Sequence, residues 1–124
     1  MIKIEIEGKP LSKSNNLAFG KRRAYIPKKH KEYQEKVRQA AVEAMGQQEP
    51  ITGPVRAEIH LRFPDRRRRD AGNYQKTILD ALNGVCYDDD CQIVHLTITK
   101  TVEKNNPGAI IWVGSYEFDP SQHT

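Results

Sequence analysis

Alternating apolar and polar residues predict four strands in this chain. The alternation runs through residues 2–7, 55–63, 94–102 and 110–118, with the period of a strand that has one buried face. It is clearest in the second segment, where every odd position is apolar: Val55, Ala57, Ile59, Leu61 and Phe63. The turn sequence 105–108 between the last two segments favours a hairpin, so we expect those two strands to pair antiparallel.

Apolar residues at helical spacing predict two helices, over 30–46 and 71–83. Gly46 is suited to end the first helix and Gly84 to follow the second as its C′ residue. Asp70 is a good N-cap for the second helix. The apolar stripes are Tyr33, Val37, Ala41, Ala44 and Met45 in the first helix, and Tyr74, Ile78, Ala81 and Leu82 in the second.

The order of these elements predicts an α+β fold, a two-layer sandwich with a roughly four-stranded mixed sheet and two helices on one face. Residues 8–28 lack periodicity and are expected to form a long loop, of the kind that is either functional or mobile, with a short strand near 24–26. The whole chain, 1–124, is expected to be one domain with a disordered tail from about residue 119.

Charge is unevenly distributed along the chain. Residues 1–69 hold 17 Lys and Arg against 8 Asp and Glu, a net charge of +9, whereas residues 70–124 carry a net −5. A strongly basic half is typical of a nucleic-acid-binding surface. The densest cationic segment, Arg66–Arg69, runs directly into Asp70.

Composition argues against several other classes of protein. The mean hydropathy is −0.74 and the apolar runs are far shorter than the roughly 20 residues of a membrane span. No apolar signal-peptide segment is found at the N-terminus, so a cytoplasmic protein is expected. Cys86 and Cys91 lack a matching pair of histidines for zinc, and reduced thiols are expected for both.

The acidic residues after the arginine run are candidates for metal chemistry. Asn73, Lys76 and Asp80 fall at i, i+3 and i+7 of the second predicted helix, so they share a polar face that begins at Asp70. A second acidic cluster, Asp88–Asp90, follows the helix. Carboxylates suit Mg²⁺, and a bound divalent metal can activate water and stabilise the leaving oxygen of a phosphodiester. Lys76 would stabilise charge on the phosphorus oxygens.

Each of these features also has a structural interpretation. Asp70 taken alone is more often a helix cap than a metal ligand. Lys76 and Asp80 at i, i+4 are suited to a surface ion pair. Taken together within 26 residues, they favour metal-dependent phosphodiester chemistry.

The combined motif resembles the RusA family of Holliday junction resolvases. The family pattern is roughly D-x-D-N-x-x-K-x-x-x-D-A-L, a short gap and then D-D-x-Q-V, and Ser14–Asn16 also matches its N-terminal segment. The resemblance covers about residues 5–104. The matching residues are Asp65–Asp70, Asn73, Lys76, Asp80-Ala81-Leu82-Asn83-Gly84 and Asp89-Asp90-x-Gln92-Ile93.

The resemblance implies a small homodimeric endonuclease of bacterial, phage or prophage origin. Such an enzyme cuts four-way DNA junctions in recombination and repair, with Mg²⁺ as cofactor and Mn²⁺ as a substitute. It implies that Asp70, Asp89 and Asp90 bind the metal, and that Asp70, Asp90 and Lys76 are catalytic. The residues expected to contact DNA are Lys21, Arg22, Arg23, Arg66, Arg67, Arg68, Arg69 and Asn73.

One departure from the family pattern bears on activity. Gly72 stands where the family has its second aspartate, so one expected metal ligand is missing. Three outcomes are open. Asp70 and Asp90 hold one metal with a third oxygen from Asp88, Asp89 or Asp80; or the site is weakened and needs high metal or Mn²⁺; or the chain binds branched DNA without cutting it.

Overall fold

The computed structural model describes residues 1–12, 18–19, 24–25 and 28–117. Both predicted helices and all four predicted strands are present, together with two short strands in the predicted loop. The strands are β1 (Ile2–Glu7), β2 (Ala18–Phe19), β3 (Ala24–Tyr25), β4 (Val55–Phe63), β5 (Ile93–Val102) and β6 (Gly108–Ser115). The helices are α1 (Lys28–Met45) and α2 (Ala71–Ala81), and Asp90–Gln92 form a 3₁₀ turn.

The main sheet is four-stranded and mixed, in the order β1-β6-β4-β5. β6 pairs antiparallel with both β1 and β4, whereas β4 and β5 are parallel. The expected hairpin between the last two strands is therefore wrong, because β4 lies between β5 and β6. The strand at Ala24–Tyr25 agrees with the prediction near 24–26, but its antiparallel partner, Ala18–Phe19, was not predicted.

The connection between β5 and β6 crosses the end of β4 instead of making a tight hairpin. The backbone N–H of Glu103 donates to the carbonyl oxygen of Phe63 at 2.7 Å. Arg62 Nε donates to the carbonyl oxygen of Asn106 at 3.0 Å. These two bonds hold the connection across the carboxyl end of β4, so that β6 reaches the far side of that strand.

The core lies on one face of the main sheet, where both helices pack. Ile4, Ile59 and Ile111 stand in register on β1, β4 and β6 and are at most 1% exposed. The helices add buried residues that include Val37 from α1 and Ile78 from α2. This arrangement confirms the predicted α+β sandwich with its helices on a single face.

The helix ends differ slightly from prediction. Gly46 follows α1 with φ of 58°, as expected of a residue that ends a helix in the left-handed region. α2 ends at Ala81 with Leu82 as its C-cap, two residues earlier than predicted. Gly84, with φ of 79°, therefore lies one position beyond the C′ residue. Among the described residues, no helix has the length and apolar character needed to cross a membrane.

Candidate active site

Asp70 forms the N-cap of α2, and its side chain is exposed. The carboxylate oxygen Oδ1 accepts a hydrogen bond of 2.9 Å from the N–H of Gly72. A carboxylate has two oxygens, so one can cap the helix while the group also serves as a metal ligand. Both the capping and the ligand interpretations of Asp70 are therefore compatible with its position.

The polar face of α2 lies where the helical spacing predicts it. Asn73, Lys76 and Asp80 are exposed, whereas Tyr74 and Ile78 are at most 2% exposed. Asn73 and Lys76 thus lie on the same exposed face as the capping carboxylate, within the first two turns of the helix.

Gly72 lies directly beside the Asp70 carboxylate. A Cβ atom at this position would lie 3.2 Å from Asp70 Oδ1, which is a tight contact. Any side chain larger than that of glycine at position 72 would therefore begin in contact with that carboxylate. The position of the family's second aspartate is therefore adjacent to the Asp70 carboxylate.

The arginine run divides into exposed and buried members. Arg66, Arg67 and Arg68 are exposed, but Arg69 is only 8% exposed. The Arg69 guanidinium stacks over the Phe63 ring, with Cζ 4.5 Å from the ring centroid. Arg69 thus shapes the loop before α2, while its three neighbours face solvent.

Asp65 is the partner that holds Arg69 in place. The two side chains form an ion pair with an N–O distance of 2.8 Å. The hydrogen bond from Arg69 lowers the pKa of Asp65, and the backbone N–H of Arg67 adds to the effect. The loop is also fixed from β5, because Lys100 Nζ donates to the carbonyl oxygen of Arg69 at 2.8 Å.

A basic cavity of about 260 Å³ lies between this loop and the end of β5. Lys100, the only lysine of β5, contributes to this cavity. The sequence pattern did not identify it as part of the basic surface. The cavity is suited to an anion because most of its charged side chains are cationic. Its lining residues are Phe63, Asp65, Arg66, Arg67, Arg68, Arg69, Lys100, Thr101 and Val102.

The second acidic cluster is built by a capping box. Asp89 caps the 3₁₀ turn by accepting a 3.0 Å hydrogen bond from the N–H of Cys91, and Gln92 Oε1 accepts from the N–H groups of Asp88 and Asp89. Gln92 Nε2 donates in turn to the carbonyl oxygens of Ile51 and Gly53. The acidic loop is thereby anchored to the linker that precedes β4.

Asp90 lies against Asp80 at the carboxyl end of α2. Asn83 Oδ1 accepts from the N–H of Asp90 at 3.0 Å, and the Asp80 and Asp90 carboxyl groups are within hydrogen-bonding reach. Burial raises the pKa of Asp90, and the carboxyl groups of Asp89 and Asp80 raise it further. By contrast, the Cys91 N–H is the main cause that lowers the pKa of Asp89. The structural roles of Asn83 and Gln92 were not predicted, although both belong to the motif.

The two acidic clusters lie at opposite ends of α2. Asp70 and Asp80 are ten positions apart along α2, which is about 15 Å along the axis, and Asp90 lies beside Asp80. Within the described parts of the chain, no three His, Cys, Asp or Glu side chains are grouped so that they could hold a metal ion. The chain therefore presents the predicted ligands at two separate places.

Three of the predicted DNA contacts cannot be placed relative to these clusters. Lys21, Arg22 and Arg23 lie outside the described residues. The described cations of the candidate interface are therefore those of the arginine run and Lys100.

Comparison with known proteins identifies relatives of this chain. A family model described as "Endodeoxyribonuclease RusA" matches residues 7–113. The chain is 44% identical over 48 residues to "Crossover junction endodeoxyribonuclease RusA" of Escherichia coli (strain K12) and of Shigella sonnei (strain Ss046). The same identity is found with "Crossover junction endodeoxyribonuclease rusA" of Enterobacteria phage 82. Each match covers 38% of this chain and 40% of the relative, so the chain spans less than half the length of these curated relatives.

The electrostatics of Asp90 predict that Asp80→Asn stabilises the protein at neutral pH. The pKa of Asp90 is higher in the folded chain than in the unfolded chain. Above its folded-state pKa, the ionised carboxylate of Asp90 therefore lowers the stability of the protein, and below its unfolded-state pKa this cost is absent. Removing the Asp80 charge reduces this cost by at most about 1 kcal/mol, because the cluster is largely solvent-exposed. Thermal unfolding should show a gain at pH 7 that disappears near pH 3.

Asp88→Asn is the matched control, since it removes the same charge from an exposed position in the loop that leads to Asp90. An equal gain from both substitutions at pH 7 would assign the effect to net charge and not to the Asp80–Asp90 contact.

Proposed function

The chain belongs to the RusA endodeoxyribonuclease family, and from this premise we propose that it is a metal-dependent endonuclease that resolves four-way DNA junctions. The observation that carries the proposal is the arrangement at the start of α2. An exposed carboxylate, Asp70, follows three exposed arginines, and Lys76 stands on the same helix face. The cofactor proposed is Mg²⁺, with Mn²⁺ as a substitute, in a cytoplasmic protein of bacterial or phage origin.

The arginine run is proposed to bind the DNA backbone. Arg66, Arg67 and Arg68 are exposed and can contact phosphates, which position DNA without reading its sequence. Lys21, Arg22 and Arg23 are proposed to add to this surface. Each neutralised phosphate releases condensed counterions, so binding should weaken steeply as salt is raised.

Metal binding is proposed to require two copies of the chain. Mg²⁺ prefers oxygen ligands, and the carboxylates of Asp70, Asp89 and Asp90 have this chemistry. A single chain keeps Asp70 about 15 Å from the Asp80–Asp90 end of α2, which is too far for ligands that must lie within roughly 2 Å of one ion. A homodimer in which Asp90 of one copy approaches Asp70 of the other would bring them together, with two sites per dimer.

The side chains around this composite site have separate proposed roles. A bound divalent ion would supply charge stabilisation and a water of lowered pKa. Asp70 and Asp90 would hold that ion, and Lys76 would stabilise negative charge on the scissile phosphate. Asn73, on the same exposed face of α2, would contact the DNA backbone. Asp80 and Asp88 are the carboxylates available to compensate for Gly72.

The first test is cleavage of a synthetic four-way junction and a matched linear duplex, with Mg²⁺, Mn²⁺ or EDTA. We expect paired incisions in the junction alone, and none with EDTA. Asp70→Asn should lower the cleavage rate by more than about 100-fold. Losing a group that only supports a metal ligand costs up to about 100-fold, and this substitution changes the proposed ligand itself. The folded helix should be retained, since asparagine caps as well as aspartate.

Normal cutting by Asp70→Asn would contradict the metal assignment. Junction binding that survives EDTA, without incision under any metal, would instead support a second function, that of a branched-DNA-binding protein. Gly72 is the observation that favours this alternative, because it removes a carboxylate from the surroundings of Asp70.

Gly72→Asp should lower the metal concentration needed for half-maximal cleavage by about tenfold, the scale of one supporting group at a metal site. The new side chain would begin 3.2 Å from Asp70 Oδ1, so that carboxylate must shift by a few tenths of an ångström. Cleavage rates against Mg²⁺ and Mn²⁺ concentration would measure the effect.

Gly72→Ala and Gly72→Asn are the controls for this substitution. Alanine tests the Cβ contact and the improved helix propensity, and asparagine tests a side chain of the same shape without the charge. A gain with alanine equal to that with aspartate would show that a missing carboxylate is not what limits this site.

A further inference from the structure

A lysine interrupts the apolar face of β5. The helix-facing positions of this strand are in register with the buried alternate positions of β4. They are occupied by Leu96, Ile98, Lys100 and Val102. Lys100 therefore stands where the strand pattern predicts an apolar side chain, beside Leu61 of β4, which is fully buried. Natural proteins break such patterns chiefly at functional sites, so the contacts of this lysine are of interest.

The ammonium group of Lys100 holds the backbone immediately before Asp70. Lys100 Nζ donates to the carbonyl oxygen of Arg69 at 2.8 Å, and this oxygen belongs to the peptide group that joins Arg69 to Asp70. A peptide group is planar and turns as a unit about the single bonds on either side of it. The hydrogen bond therefore fixes the orientation of this peptide group relative to a strand of the main sheet.

The backbone of Asp70 is held on its other side by α2. The N–H of Asn73 donates to the carbonyl oxygen of Asp70 at 3.1 Å. The N–H of Gly72 donates to Asp70 Oδ1 at 2.9 Å. Both bonds come from the first turn of the helix, whereas the bond from Lys100 acts on the loop side. Asp70 is thus bonded to regular secondary structure both before and after its Cα atom, which sets the direction of its carboxylate.

The other contacts of Arg69 act on its side chain and not on this carbonyl oxygen. The guanidinium group pairs with Asp65 and stacks over the Phe63 ring. It also donates to the carbonyl oxygen of Asp65 at 3.2 Å. These contacts hold the arginine in the loop, but the peptide group that follows its Cα atom can still turn. The restraint on that peptide group is the bond from Lys100.

We propose that Lys100 is a positioning residue for the Asp70 carboxylate. Its bond to the Arg69 carbonyl oxygen holds the Arg69–Asp70 peptide group against β5, so the carboxylate keeps one direction in the free protein. Groups that orient a metal ligand in this way change metal affinity without touching the metal. The orientation of Asp70 is a property of one chain, and its consequence for metal binding rests on the proposed function.

The first test is amide hydrogen exchange, followed by NMR on the metal-free protein. Lys100→Met removes the donor and keeps a long unbranched side chain that suits the apolar face of β5. It should speed exchange of the Gly72 N–H, which is bonded to Asp70 Oδ1, by about fivefold, the scale of one hydrogen bond. Exchange of the Ile59 N–H, in the central strand β4, should keep its wild-type rate.

Two further variants are the controls for this substitution. Lys100→Arg retains a cationic donor, so it should restore slow exchange at Gly72. Lys104→Met removes the same charge from an exposed position just after β5 and should leave Gly72 unchanged. A wild-type exchange rate at Gly72 in Lys100→Met would overturn the positioning role. A uniform rise that includes Ile59 would also overturn it, because Lys100 would then contribute only to general stability.

Mn²⁺ binding, measured by calorimetric titration without DNA, is the second readout. Loss of a group that supports a metal ligand weakens binding by about 10-fold to 100-fold. We expect Lys100→Met to weaken Mn²⁺ binding about tenfold, and Lys104→Met to bind as the wild type does. Weaker binding by Asp70→Asn but not by Lys100→Met would overturn the positioning role and leave the proposed function standing. Unchanged binding by Asp70→Asn would contradict the proposed metal site, and exchange at Gly72 would still decide whether Lys100 orients Asp70.

A direct phosphate contact is the competing role for Lys100, since this residue also lines the basic cavity. A lysine that binds a phosphate contributes about one to the slope of log affinity against log salt concentration. We expect Lys100→Met to bind a four-way junction in EDTA with the wild-type slope. A slope lower by about one, with unchanged exchange at Gly72, would assign Lys100 to the DNA backbone and overturn the proposal.

Discussion

The parallel pairing of β4 with β5 is the constraint on which the rest of the site depends. Parallel neighbours cannot be joined by a tight turn, so the chain must return along the full length of the sheet before β5 begins. α2 makes this return. A residue just after β4 and a residue just before β5 must therefore lie at opposite ends of the layer. Asp70 and Asp90 occupy these two positions.

This topology gives the two ends of α2 different chemistry. The amino-terminal end collects the arginine loop, Lys100 and the capping carboxylate, with Arg69 folded against Phe63 to support the loop. The carboxyl-terminal end collects Asp80, Asp89 and Asp90, supported by Asn83 and Gln92. Neither end alone has both the cations for a DNA backbone and a full set of metal ligands. The proposed composite site follows from that division.

Sequence periodicity was sufficient to predict the main strands, the helices and their arrangement in two layers, because each of these elements has one apolar face that must be buried. It failed for the partner of β6, since strand pairing depends on contacts such as Glu103 with Phe63 that local turn propensity does not include. The motif located the chemically important residues but not their distances. Closeness within 26 residues suggested one site, whereas the crossover by α2 separates its members. Nothing in a run of four identical arginines indicates that Arg69 is the buried one.

Subunit mixing tests most directly whether a functional site combines Asp70 of one copy with Asp90 of another. Asp70→Asn and Asp90→Asn chains, each inactive alone, would be co-expressed with different tags, and the mixed dimers would be purified through both. We expect these dimers to regain one intact site, roughly half the wild-type number in a two-fold dimer, and to nick a four-way junction. Mixed dimers as inactive as either parent would show that each site is built within one chain.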